Sequence, residues 1–114
     1  MSLAKKLNFK SGMKVRVINR PVDVDLDDLA MGTDSTDGVL AFARTLSEVD
    51  AKCATVLKAA KADCLAWIAY PKAGQLETDI NRDTLRRHLQ AKGVEAVRQV
   101  AIDSVWSALR FRPS

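Results

Sequence analysis

Five residues have the types and spacing to hold an anion: Arg20, Arg44, Thr45, Lys72 and Trp106. Arg20 closes one apolar segment, Arg44 and Thr45 close a second, and Lys72 follows Tyr70-Pro71 at the end of a third. If those segments are neighbouring parallel strands, their carboxyl ends bring three cations to one edge. Open α/β sheets hold their ligands at that edge. Thr45 then opens a helix, and the free N–H groups of a first turn favour negative charge. The chemistry is capture of an anionic or phosphate-bearing ligand. The competing reading pairs Arg20, Arg44 and Lys72 with the acidic stretch Asp23 to Asp37, which leaves from the same edge. Trp67 and Trp106 fill the core by their size, or Trp106 lines a pocket mouth beside Lys72; the residues alone leave both open.

Other arrangements carry less chemistry. Asp23, Asp25, Asp27 and Asp34 sit at positions one, three, five and twelve of a calcium loop. Position six is Asp28 where glycine is required, and position twelve is Asp where a bidentate Glu is expected, so no metal site is predicted. His88 is the one histidine, set among Arg86, Arg87 and Leu89 with no acid or nucleophile evident beside it. General-base work needs a partner within reach, so His88 reads as a surface residue and no catalytic residue is predicted. Cys53 and Cys64 fit neither a disulfide framework nor a zinc spacing and read as inert packing thiols. Arg82, Arg86, Arg87 and Lys92 share one side of a helix, with Asp83 placed to pair with Arg87. No aromatic residue is interleaved with them for base stacking, which argues against nucleic acid.

A chain of 114 residues forms one domain, 1–114, with core enough to fold without disulfides or metal. The net charge is +4, but its layout matters more than its sum. Every ionisable side chain from Met1 to Arg20 is basic, and every one from Pro21 to Asp37 is acidic. Adjacent blocks of opposite sign neutralise each other, so a basic balance does not by itself imply nucleic acid. No apolar run approaches the roughly 20 residues that span a bilayer. The first residues lack the apolar stretch and cleavage site of a signal peptide. A cytoplasmic protein without a cofactor is expected.

These residues need elements to position them. Cys64 to Tyr70 is apolar or aromatic throughout and stops at Pro71. A strand with one wet face alternates, and this one does not, so it is covered on both faces. Met13 to Asn19 alternates, as an edge strand does, and Val39 to Ala43 is a second apolar run. Thr45 and Glu48 form a capping box for a helix running to about Lys61. Asn81 caps another, with Ile80 stapled onto Leu85 and Gly93 as a left-handed stop. Glu95 to Ile102 and Val105 to Phe111 are joined by a short turn and pair antiparallel. In the last strand Trp106, Ala108 and Arg110 face away from Ser107, Leu109 and Phe111. A short helix from Ser2, a polar crossover from Val22 to Asp37 and a loop at Ala73-Gly74-Gln75 complete the chain. The predicted fold is an α/β, Rossmann-like three-layer sandwich. It has a mostly parallel sheet of about five strands and a C-terminal antiparallel hairpin.

Leu3-Ala4-Lys5-Lys6-Leu7 with Lys10-Ser11-Gly12-Met13-Lys14-Val15, Trp67-Ile68-Ala69-Tyr70-Pro71-Lys72 and Trp106-Ser107-Ala108-Leu109-Arg110-Phe111 resembles small bacterial proteins grouped only as a domain of unknown function. That resemblance implies no activity. The topology is similar to a class I methyltransferase fold without its second and third strands. The glycine-rich cofactor loop of that family falls at Asn19-Arg20-Pro21-Val22, which has no glycine, and the strand that would hold the ribose is absent. S-adenosylmethionine binding is therefore not expected. The expected function is a non-catalytic binding or regulatory domain for an anionic small molecule or a protein partner. The alternatives are a degenerate methyltransferase-like enzyme and a nucleic-acid binder through helix 82–92. Sheet edges that pair between copies would make a homodimer.

Overall fold

The computed structural model describes residues 7, 9, 15–21, 24, 38–52, 54–72 and 80–113. In chain order these form β1 (Val15–Ile18), β2 (Gly38–Phe42), α1 (Leu46–Lys52), α2 (Ala54–Lys61), β3 (Leu65–Pro71), α3 (Arg82–Gln90), β4 (Val94–Ala101) and β5 (Trp106–Pro113). The strands make one sheet in the order β1-β2-β3-β5-β4. The expected first helix, the acidic crossover, Cys53 and the Ala73 loop lie outside the described residues, apart from Leu7 and Val24, which are buried.

The apolar run is the middle strand of five, and every residue of β3 is buried. Ala66, Ile68 and Tyr70 enter one core with Val49, Val56, Ala60, Leu85 and Leu89 of the three helices. Leu65, Trp67 and Ala69 enter a second core with Leu7, Phe9, Val24 and Trp106. The Trp67 indole donates to the Leu7 carbonyl at 3.0 Å, tying Leu7 to the central strand. Each large apolar side chain so buried contributes about 1.5–3 kcal/mol.

The mostly parallel Rossmann-like sandwich does not hold. β1 pairs parallel with β2, and β2 parallel with β3. β3 pairs antiparallel with β5, and β5 antiparallel with β4. The antiparallel ladders are the longer ones: β4 and β5 stay paired from Val94↔Pro113 to Ala101↔Ser107, whereas β1 gives β2 four residues. The sheet is mixed, with antiparallel pairing predominant. Among the described residues all three helices pack on one face, and no helical residue enters the second core. A continuous apolar run reports that both faces are covered. It says nothing of the direction of the neighbouring strands or of what covers each face.

Local signals set the ends of elements. The Thr45 hydroxyl accepts from the Glu48 N–H at 3.2 Å and starts α1. Asn81 and Thr84 form a reciprocal capping box on α3, with Thr84 Oγ1 in place of the usual carboxylate. Leu85 and Leu89 turn inward, and Gly93 stops the chain at φ 95°, a left-handed conformation open to glycine. The hairpin turns at Asp103, whose carboxylate accepts from the N–H groups of Val105 and Trp106, both at 2.8 Å. β4 is an edge strand with a bulge between Ala96 and Arg98. Bulges and charges such as Glu95 and Arg98 are features that blunt edges.

Candidate functional site

Two places need description: the strand edge that carries the predicted anion ligands, and a groove between α1 and α3. Because β1, β2 and β3 are parallel and in register, Arg20, Arg44, Thr45 and Lys72 follow strand ends on the same edge. Asn19, at φ 60°, reaches across that edge. Its amide donates to the Phe42 carbonyl at 2.9 Å and to Glu48 Oε1 at 3.0 Å. The same Glu48 oxygen accepts from the Arg44 N–H at 3.4 Å. The start of α1 therefore carries its own carboxylate, and the Thr45 hydroxyl is engaged as the cap. Arg20 is exposed and Lys72 half-buried. Trp106 is buried in the second core, edge-to-face on Phe42 with ring centroids 5.2 Å apart. It packs as core and does not line a mouth beside Lys72.

The groove has a volume of about 480 Å³ and is lined by Leu46, Thr84, Arg87, His88, Ala91 and Lys92. Thr84, Arg87, His88 and Ala91 are spaced three or four apart and share one flank of α3 beside the inward Leu85 and Leu89. Leu46 closes the opposite wall from α1. Asp50 of α1 binds the rim: His88 Nε2 lies 2.8 Å from its Oδ1, and Lys92 Nζ lies 3.3 Å from the same atom. The hydrogen bond from His88 holds the Asp50 carboxyl below its ordinary value of 3.8 against a smaller opposing effect of desolvation, with Lys92 adding to the lowering. An ionised carboxylate only accepts, so His88 Nε2 carries the hydrogen and the ring is oriented by Asp50.

His88 is thus not a solitary surface histidine. Its acid stands 38 positions earlier in the chain, where no spacing rule connects them. Asp83 does not pair with Arg87 as its spacing suggests; it lies 3.6 Å from Arg82 Nε, and Arg87 lines the groove. The one clue in the sequence was the Thr84, His88, Ala91 periodicity beside the apolar stripe.

An oriented histidine suits general-base work only beside a group to deprotonate. The one hydroxyl in the lining, Thr84 Oγ1, donates to the Asn81 carbonyl at 3.1 Å and accepts from the Asn81 N–H at 2.8 Å. It is committed to the cap. Tyr70 is buried beneath α3, and burial pushes its phenol above the usual value, so it stays protonated; its hydroxyl accepts from Gln99 Nε2 at 2.9 Å. Two permanent cations, a histidine and an apolar floor can bind and orient an anion. Among the described residues no group of three or more potential metal ligands gathers, and no helix is long and apolar enough to cross a membrane. A scan of protein-family models finds none that matches, and no curated protein or solved structure matches the chain.

Proposed function

We propose that this chain is a non-catalytic, cytoplasmic binding domain for a small organic anion, held in the groove between α1 and α3. The observation that carries the reading is the convergence of Arg87, His88 and Lys92 on one cavity of about 480 Å³ with Leu46 and Ala91 as apolar walls. That size falls within the range of small-molecule sites, and a few convergent polar groups on an apolar lining are their usual chemistry. Asp50 fixes His88 and Lys92 in place before a ligand arrives, which lowers the entropy lost on binding. The apolar walls favour an anion with an organic body, such as a nucleoside monophosphate or an aromatic carboxylate.

The test is calorimetric titration with AMP, citrate and salicylate, each against the parent and an Arg87→Ala/Lys92→Ala variant. One of the probes should bind the parent. The double variant should lose about 10-fold or more in affinity, since a hydrogen bond to a charged group contributes about 1.5–3 kcal/mol. No binding by any probe, or equal binding by the variant, refutes the groove.

A further inference from the structure

The face of the sheet opposite the described helices carries a second feature, independent of the groove. Ahead of the bulge, Glu95 stands opposite Arg112 and Ala96 opposite Phe111. Strict alternation would next bring Val97 opposite Arg110. The extra residue brings Arg98 there instead. The switch of faces is visible in the packing: Ala96 meets the helix-side core, while Val100 and Ile102 meet the other core. Val97 is left outside, 44 % exposed. Bulges recur next to functional sites, where they re-aim a side chain. This one places two guanidinium groups directly across a strand pair.

That arrangement is unfavourable alone. Like charges directly opposite in a sheet repel. Arg110 is also held from the other side, opposite Trp67 of the central strand, and its Nε is buried without a hydrogen-bond partner. Buried polar groups are nearly always satisfied, and an exception calls for a partner such as a water, an ion or a ligand. No salt bridge joins either arginine to a described carboxylate within 4.0 Å. A bulge, a like-charge pair and an unsatisfied guanidinium nitrogen meet at one point.

We infer that Arg98 and Arg110 form a fork for phosphate on the face of the β4–β5 hairpin opposite the described helices. Two planar guanidinium groups match the oxygens of a phosphate through paired N–H···O bonds, and a doubly charged anion neutralises both. Arg112, next on the same face, stands opposite Glu95, so the net positive charge there rests on Arg98 and Arg110. The phosphate comes either from a phosphomonoester, which carries both charges on one group, or from a nucleic-acid backbone, where two adjacent diesters supply one charge each.

Titration with inorganic phosphate, glucose 6-phosphate and a single-stranded oligonucleotide lacking terminal phosphates separates the sources. Binding of the first two in the millimolar range or tighter assigns a monoester; binding of the oligonucleotide alone assigns a backbone. In either case Arg98→Ala should weaken binding about 10-fold or more, the scale of one charge-assisted pair. Arg98→Lys, which keeps the charge and loses the fork, should recover only part. Arg98 is exposed, so these variants test the fork without disturbing the core. The Arg87→Ala/Lys92→Ala variant should bind all three probes as the parent does. Absence of binding by every probe overturns the inference. So does binding that survives in Arg98→Ala, or that is lost only in the groove variant.

Discussion

Replacing Trp67 by Phe probes the packing on which the rest of the molecule depends. Trp67 is fully buried in the middle strand, and its indole N–H donates to the Leu7 carbonyl across 60 positions of sequence. Phe keeps an aromatic ring but removes the donor and part of the volume. An orphaned buried carbonyl costs about 1–3 kcal/mol. The void left by the smaller ring adds about 1–2 kcal/mol, a fraction of the full Trp→Ala cost. The expected loss is therefore roughly 2–5 kcal/mol, a large part of the 5–15 kcal/mol typical of a whole domain. Trp106→Phe is the reference for ring volume in the same core, where the ring packs edge-to-face on Phe42. It should cost about 1–2 kcal/mol. Urea titration measures both, and the slope should stay constant if the native state keeps its extent. Thermal melts should follow at roughly 4 °C per kcal/mol for a chain of this size. Proton exchange at the Trp67 indole gives a second reading, since a hydrogen-bonded, buried N–H exchanges only through opening. Equal losses for the two variants, together with rapid exchange at Trp67, would show that the bond from Trp67 to Leu7 does not hold.

Two further outcomes follow from local geometry. A methyl group on Gly38 would overlap the Phe9 ring edge, with Cζ at 2.9 Å, and would meet Leu65 Cβ at 3.0 Å. Gly38→Ala should therefore destabilise by about 1–3 kcal/mol. Phe9→Leu should restore part in urea titrations, but not all, because Leu65 Cβ is fixed to the backbone of β3; no loss in the single variant refutes the packing. Asp50 has a folded-state pKa below its ordinary 3.8, chiefly through the hydrogen bond from His88. The unfolded state then takes up the proton at higher pH, so the carboxylate's contribution is present above 3.8 and is lost as pH falls through the lower folded value. The stability difference between the parent and Asp50→Asn should be constant across the pH range just above 3.8 and vanish in stronger acid; a difference that persists in strong acid would show that the ion pair is not its source.

How much of the molecule was readable depends on the distance over which each feature is decided. The Thr45 and Asn81 caps, the Gly93 stop and the inward Leu85 and Leu89 are set within one helical turn, and spacing reveals them. The two faces of β5 follow from a period of two, and Trp106 and Ala108 do lie opposite Leu109 and Phe111. The same rule fails on β4, because one inserted residue at Val97 reverses the faces beyond it. Strict alternation would put Ala96 and Arg98 on one face; the bulge parts them. The candidate sites were less readable still. Asp50 and His88 meet over 38 positions, and Arg98 meets Arg110 only through the bulge.

By itself the sequence determined that the apolar run Cys64 to Tyr70 would be extended and interior, since it leaves no wet face to alternate with; the strand is Leu65–Pro71, one residue later at each end. It also determined where helices begin and stop. Only the tertiary structure decided that β5 would enter between β3 and β4, making the sheet mixed, and that the described helices would share one face. Apolar burial is non-directional, and strand neighbours are chosen by contacts between distant segments. A residue's type therefore records how deeply it lies, while the partner beside it is settled by the assembled chain.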